Sequence, residues 1–197
     1  MANTVTNVTA GKPKIGGAIF RAPKGTSLPT DATTSLGASF VCLGYVSEDG
    51  LTNDNSPDSD KIKAWGGDTV LKPFTGKEDT FQFTLIEALN VNALKLVYGD
   101  SNVTGDLTNG ISIKSAAEDL DYHSFVIEMV LNGAIKRIVI PSAKVTEVGD
   151  ITYADGEAIG YDTTLSAVPD AAGGTHYEYI KAVSNSGTTT TSTSSTT

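Results

Sequence analysis

The sequence has no long hydrophobic run and almost no cysteine. No stretch of about 18 apolar residues is present, so we expect no membrane-spanning helix. The single cysteine, Cys42, lies between Val41 and Leu43 and cannot form a disulfide within the chain. The ordinary role of such a cysteine is that of a small buried hydrophobic residue. The first residues contain neither the basic nor the apolar segment of a secretory signal, so we expect synthesis in the cytoplasm.

Basic residues are scarce as well. The chain has 14 Lys and Arg residues against 23 Asp and Glu residues, which gives a formal net charge of -9. Its arginines are Arg21 and Arg137 alone. An acidic surface repels phosphate groups and anionic lipid, which argues against a protein that grips nucleic acid or docks on a membrane. The basic residues are also scattered, without the interleaved aromatic residues of a surface that binds single strands.

Groups of residues that could carry catalysis or hold a metal are missing too. His123 and His176 each stand alone at the start of a predicted strand, which indicates a surface or strand-edge role. Asp54, Asp58 and Asp60 supply carboxylates like those of a calcium loop, but neither its spacing nor its pair of flanking helices is present. No nucleophile elbow, phosphate-binding loop or dinucleotide-binding motif occurs. The sequence therefore predicts no catalytic residue, no metal site and no cofactor.

What the sequence does contain favours β-structure. Glycine (20 residues), threonine, valine and isoleucine are frequent, and several stretches alternate apolar and polar residues as half-buried strands do. Asn132-Gly133 and Thr75-Gly76-Lys77 each predict a hairpin turn. Gly50 and Pro141 are expected to end the strands before them. The predicted strands cover residues 18–22, 40–46, 62–65, 69–73, 79–88, 125–131, 135–140, 144–148, 158–168 and 175–183.

One helix is predicted, over residues 90–98. Asn90 is a suitable N-cap residue, and Gly99 supplies the stop signal at the other end. The apolar residues between them follow helical spacing. They are Val91, Ala93, Leu94, Val97 and Tyr98.

The chain is predicted to be one β domain with appendages. Residues 1–16 are polar and are expected to form an extended arm, and residues 17–183 form the domain. Within it, residues from about 47 to 64 are too polar and too rich in turn formers to be core. They predict a long loop of the kind used in function or assembly. Residues 184–197 contain only Ser, Thr, Asn and Gly, and we expect a flexible tail there.

Several segments resemble, in order and spacing, the major tail tube proteins of long, non-contractile-tailed (siphovirus-type) bacteriophages. The resemblance covers roughly residues 17–100. Its segments are residues 17–22, APKGTSLPTDA (22–32), FVCLGYVSEDG (40–50), AWGG (64–67), FQFTLIE (81–87) and LKLVYG (94–99). The later strands fit the family in pattern alone.

The resemblance implies a β-sandwich or half-barrel subunit with one short flanking helix. Six subunits would close a ring with a continuous inner β-barrel, and stacked rings would form the conduit for the genome in the virion tail. The partners would be further copies of this chain, a tape-measure protein, and tail terminator and tip proteins. DNA would be cargo that passes without binding, there would be no membrane partner, and synthesis would occur in the host cytoplasm.

Two sets of residues are candidates for roles in such a tube. The polar loop would contact neighbouring subunits or rings through residues that are mostly acidic. These are Glu48, Asp49, Asp54, Asp58, Asp60 and Trp65. The hairpin over residues 125–140 is expected to turn Phe125, Ile127, Met129 and Leu131 to the core. Glu128 and Lys136 are expected near each other on the other face. If that face lines the tube, Glu128 and Lys136 face the DNA path.

Two readings from other classes compete with a tail tube. A carbohydrate- or ligand-binding β-sandwich would use exposed aromatic residues, which Trp65 and the seven tyrosines could supply. A capsid decoration protein is the second. The carbohydrate- or ligand-binding reading does not require the long acidic loop or the two polar arms. An enzyme ranks last, because the sequence offers no group of catalytic residues.

Overall fold

The computed structural model describes residues 3–183, and β-strands dominate them, with 45% strand and 8% helix. The strands in chain order are β1 (Lys12–Pro13), β2 (Ile19–Pro23), β3 (Val41–Cys42), β4 (Val46–Asp54), β5 (Pro57–Ser59), β6 (Ile62–Lys63), β7 (Thr69–Leu71), β8 (Phe74–Lys77), β9 (Thr80–Leu85), β10 (Val103–Asp106), β11 (Gly110–Ile113), β12 (His123–Leu131), β13 (Ala134–Val148), β14 (Tyr161–Ala167) and β15 (Tyr177–Ala182). The helix α1 spans Val91–Tyr98, and short 3-10 turns occur at Val5–Asn7 and Asp100–Asn102. The prediction of a mainly β chain with one short helix is confirmed.

One large antiparallel sheet organises the domain, in the order β3-β2-β12-β13-β14-β9-β4. Strand β1 lies beside the end of β12, and β15 lies beside the first half of β13. Over the described residues the sheet is open and does not close into a barrel. Its outer strands therefore present free edges within the single subunit.

The long hairpin β12–β13 forms the centre of this sheet. Leu131 pairs with Ala134 across the turn at Asn132-Gly133, where Gly133 has a φ of +73°. This confirms the predicted hairpin. The expected end of the return strand at Pro141 is wrong, because β13 continues through it for 15 residues in all. Pro141 lies where the register between β12 and β13 shifts, and a proline at such an irregularity removes no regular ladder hydrogen bond.

The main core lies on one face of the sheet, under helix α1. Phe125, Ile127, Ile138 and Ile140 of the central hairpin share one buried cluster with side chains of β9, β14 and the helix. On the helix, Ala93, Leu94, Leu96 and Val97 are buried. The helix begins as predicted: the Asn90 side chain accepts a hydrogen bond from the Asn92 amide (2.9 Å), and Gly99 follows the last turn with a φ of +96°.

A second, smaller cluster covers the opposite face of the central hairpin. It joins Val126 and Val139 of the sheet to Ala22 and Phe40, with Leu28 and Leu36 packed against it. Leu28, Leu36 and Phe40 belong to the irregular segment at residues 24–40. Both faces of β12 and β13 are therefore buried here, which the alternation of residues in the sequence did not indicate.

Residues 47–64 do not form the predicted loop. Most of them belong to strands β4, β5 and β6, because Gly50, with a φ of +74°, lies at a register shift inside β4 and does not end it. The predicted hairpin around Thr75-Gly76-Lys77 is also wrong, since β8 pairs with β5 and β7 with β6. The side chains of these strands are mostly exposed. Without a buried face, the sequence shows no period-2 alternation from which the pairing could be predicted.

Strand 40–46 is interrupted in the structure. Gly44 has a φ of +89°, and the chain there lies against the Glu87 carboxylate, which accepts a hydrogen bond from the Tyr45 amide (2.9 Å). The expected tail, residues 184–197, lies outside the described residues. Among those that are described, no helix is long and apolar enough to cross a membrane.

Candidate assembly surfaces

A narrow two-stranded extension leaves the main sheet at the end of the β4–β9 pair. We call residues 55–78 the projecting hairpin. Its base is the β5–β8 pair, its outer part is the β6–β7 pair, and both pairs form small sheets separate from the main one in the described structure. At the tip the Ala64 amide donates to the Asp68 carbonyl oxygen (2.8 Å), and Gly67 turns the chain with a φ of +92°.

The projecting hairpin exposes apolar side chains that a lone soluble subunit has no reason to display. The tip residue Trp65 is fully exposed. Ile62, Val70 and Leu71 on the outer strands are exposed as well, and so is Phe74 at the start of β8 in the base. Several exposed large apolar side chains on one projecting element are typical of a protein–protein contact.

The structure brings the predicted assembly residues onto one extended element. Asp58, Asp60 and Trp65 lie on the projecting hairpin, and Asp54 lies on β4 directly before it. Glu48 and Asp49 lie further back on β4, beside the register shift, and are exposed. Their role in assembly stays a prediction. The exposed residues Ile62, Val70, Leu71 and Phe74, which the sequence did not indicate, lie on the same element.

A buried carboxylate anchors the base of the projecting hairpin. Asp79, 1% exposed, follows the hairpin and accepts hydrogen bonds from Asn53 Nδ2 (2.8 Å) and Thr175 Oγ1 (2.5 Å). His176 Nδ1 lies 2.5 Å from its Oδ2. Burial raises the pKa of Asp79, but the hydrogen bonds from Thr175, His176 and Asn53 outweigh it and lower the pKa below its ordinary value. The cluster ties the hairpin base to the segment that starts β15.

A second polar cluster joins β2, the start of β12 and the turn after the helix. Arg21 Nη2 donates to Asp100 Oδ1 (2.5 Å), and His123 Nε2 lies 3.1 Å from Asp100 Oδ2. Burial raises the pKa of Asp100, and the hydrogen bond and charge of Arg21 together with His123 lower it overall. His123 and His176 are therefore partners of carboxylates, not isolated strand-edge residues. Sequence reasoning missed both clusters, since their members are far apart in the chain.

The candidate lumen residues Glu128 and Lys136 lie on opposite faces of the sheet, which corrects the expectation that they are neighbours. The two-residue turn pairs Glu128 with Arg137 and Met129 with Lys136. A shift of one residue reverses the face. Glu128 is buried with Arg137, so it is not a solvent-facing charge in the subunit. Lys136 is partly exposed and pairs with Glu178 at 2.7 Å.

Within residues 3–183, no group of three or more His, Cys, Asp or Glu side chains could hold a metal ion. Two surfaces of the described structure could serve assembly, namely the projecting hairpin and the free edges of the open sheet. Comparison with known proteins agrees with that description. Residues 2–190 match the phage tail tube protein family. The chain belongs to the phage tail tube protein family.

A tail tube protein is a structural component of the virion tail that assembles with its own copies into a tube, and it is not an enzyme. No curated protein matches this tail tube protein. Among solved structures it is similar to the tube-terminating cap of the anti-feeding prophage, with 10% sequence identity. That alignment covers 93% of this chain and 100% of the cap chain at a TM-score of 0.42.

Proposed function

We propose that this tail tube protein closes into hexameric rings, and that the rings stack into the conduit for the genome in a long, non-contractile (siphovirus-type) tail. The observation that carries this proposal is the projecting hairpin. It stands outside the main sheet, it ends in a fully exposed Trp65, and its outer strands are apolar on the surface. Such an element suits insertion into a neighbouring subunit or ring.

Ring closure follows from the open edges of the sheet. Strand β4 is the edge strand at one end of the main sheet, and β3 is the edge strand at the other end. Strand β15 pairs with the first half of β13 and is not part of that strand order. Unpaired strand edges are a liability for a lone protein, and a closed ring of copies removes them by pairing one edge with the next. Six copies joined in this way would give a continuous inner β-barrel.

Stacking follows from the reach of the projecting hairpin. Each strand side of the hairpin has roughly ten residues, which span about 30 Å when extended. That length is enough to carry Trp65 well beyond the body of the subunit. The acids that precede and accompany it, Asp54, Asp58 and Asp60, would face the rim of the contact. Basic residues on the same element, Lys61 and Lys63, balance part of that charge.

The acidic character of the chain suits a conduit. A formal net charge of -9 disfavours phosphate contacts, whereas a basic wall would bind DNA by counterion release and hold it. Lys136 stays our candidate for a residue on the lumen wall. Its ion pair with Glu178 has no net charge, so this pair would not hold DNA phosphate. DNA would then pass as unbound cargo. A tape-measure protein and terminator and tip proteins are the further partners that a tube of defined length requires.

Electron microscopy of the purified protein at high concentration tests the proposal. We expect stacked rings with sixfold symmetry. The matched variant replaces residues 57–77 by an Asn-Gly turn, which joins Ser56 to Glu78 and keeps Asn53 and Asp79 in place. This variant should retain the melting temperature of the wild type, since the removed pairs are separate from the main sheet, but form no stacked tube.

Three outcomes would contradict the proposal in different parts. Normal tubes from the shortened variant would show that the projecting hairpin has no role in stacking. Wild-type tubes with another symmetry would overturn the hexamer and leave the stacking contact intact. Monodisperse monomers with affinity for glycans would favour the carbohydrate-binding alternative.

A further inference from the structure

The N-terminal arm, residues 3–16, lies along the edge of β12 that β2 leaves free. Lys12 pairs with Val130 and Pro13 with Met129. Further out, the Asn132 amide donates to Thr9 Oγ1 (2.8 Å). We call this edge, residues 128–132, the arm seat.

The charge in the seat belongs to a buried ion pair. Glu128 Oε1 accepts from Arg137 Nε (3.0 Å) and from its Nη2, whereas Glu128 Oε2 accepts from Lys14 Nζ of the arm (2.5 Å). Lys14 is 44% exposed and Glu128 is 2% exposed. If the arm leaves, Glu128 keeps Arg137 as its partner, so no unpaired buried charge results. The seat therefore tolerates both an occupied and an empty state.

The arm buries little apolar surface in its own seat. Val5, Val8 and Ile15 are 86%, 76% and 99% exposed. Its contacts with the seat include the short strand pair, the Thr9 hydrogen bond, the Lys14 ion pair and a backbone hydrogen bond from Lys14 to Glu128. Large apolar side chains on a segment held by so few contacts indicate that another surface covers them in the assembled protein.

A glycine hinge connects the arm to the domain. The Lys14 amide donates to the Glu128 carbonyl oxygen (3.3 Å), and the Glu128 amide donates to the Ala18 carbonyl oxygen (2.7 Å), so the chain between them loops out. Gly16 and Gly17, with φ values of +94° and +135°, form this loop. Both glycines can also adopt extended conformations, and straightening the loop would release the arm without disturbing β2.

We propose that the arm is exchanged in the tube, so that residues 3–14 of one copy occupy the arm seat of a neighbouring copy. This inference rests on the proposed function. The exchanged arm makes in the neighbour the contacts that it makes in its own seat, which is why exchange of an identical element has a low cost. The released arm of roughly a dozen residues spans about 40 Å when extended. Val5, Val8 and Ile15 can then be buried at the junction between copies, which favours the exchanged state.

Disulfide formation between two different variants tests the exchange. Cys42→Ser subunits that carry Lys12→Cys are mixed with Cys42→Ser subunits that carry Val130→Cys, assembled and oxidised. A bridge between the two can form only if an arm reaches the seat of another chain. We expect about half of the Lys12→Cys chains in tubes to run as covalent dimers on a non-reducing gel, since half of their neighbours carry Val130→Cys.

The control carries both cysteines in one chain and is oxidised as a lone subunit, where a bridge within the chain confirms that the pair has bonding geometry. If either single variant does not assemble, Pro13→Cys and Met129→Cys test the adjacent pair. Tubes without covalent dimers would overturn the exchange and leave the proposed function intact. Absence of tubes from the wild type in the microscope would overturn the proposed function, and the exchange with it.

Discussion

Glu128 and Arg137 face each other across the β12–β13 pair and form an ion pair buried from water, with 2% and 1% of their side chains exposed. Arg137 Nη1 also donates to the Asp31 carbonyl oxygen (2.8 Å) of the segment that covers this face. Lys14 supplies the second cation at the edge. The pair therefore connects the central hairpin, the covering segment and the N-terminal arm.

Glu128→Gln should destabilise the subunit strongly. Removing one partner of a buried ion pair leaves the other charge uncompensated, at a cost of about 3 kcal/mol or more. Urea unfolding of the two proteins measures this difference. Lys14→Gln is the matched control, since its ammonium group is partly exposed and screened, and it should cost less than about 1 kcal/mol. Equal losses of unfolding free energy in both variants would mean that the Glu128–Arg137 ion pair is not shielded from water.

Trp65→Ala should leave the fold unchanged and prevent stacking. A fully exposed side chain contributes within about 0.5 kcal/mol to folding, so the melting temperature should stay the same. Tube formation, followed by light scattering and microscopy, should be lost because the apolar tip is gone. Trp65→Phe keeps an apolar tip and should retain tubes. Normal assembly of the alanine variant would exclude the tip from the contact.

The Asp79 cluster should make stability depend on pH at the acidic end. The pKa of Asp79 is lowered from 3.8 in the folded subunit, so its stabilisation is fully present above that value. It is lost as the pH falls through the lower, folded-state pKa. Asp79→Asn should cost about 2 kcal/mol at pH 7 through lost hydrogen bonds. Unfolding at several pH values should show this difference shrinking below about pH 4. A difference independent of pH would contradict the assignment.

Asn90→Ala should weaken the start of the helix. The Asn90 side chain accepts from the Asn92 amide and donates to Glu87 Oε2 (2.8 Å). Loss of an N-cap costs about 1 kcal/mol, measurable by chemical unfolding. Asn90→Ser retains a capping oxygen and should lose less. If serine and alanine behave alike, the cap is not the source of the stabilisation.

The sequence predicted elements whose signals lie within a few residues of one another. The helix Val91–Tyr98 has its cap at Asn90 and its stop at Gly99, and the hairpin turn at Asn132-Gly133 joins two strands rich in apolar residues. The order of its segments also indicated the tail tube family. These predictions succeeded because capping, turn geometry and alternation are local properties of the chain.

The prediction about Glu128 failed because it depended on partners far away in the chain. Glu128 was expected at the surface, but Lys14 and the segment around Asp31, both far away in the chain, enclose it with Arg137. The register itself was accessible, since residues equally distant from a two-residue turn face each other, and this rule pairs Glu128 with Arg137. The turn alone could not predict that other segments bury this pair.

The sequence by itself determined that this chain is a mainly β protein with one capped helix and a net negative charge. The tertiary structure decided which strands extend beyond the sheet, where Trp65 is presented, and how Asp79 and Glu128 are buried. The physical reason is that exposed strands have no apolar face to mark their pairing. In addition, a charge can be buried only where distant segments of the chain supply its partners.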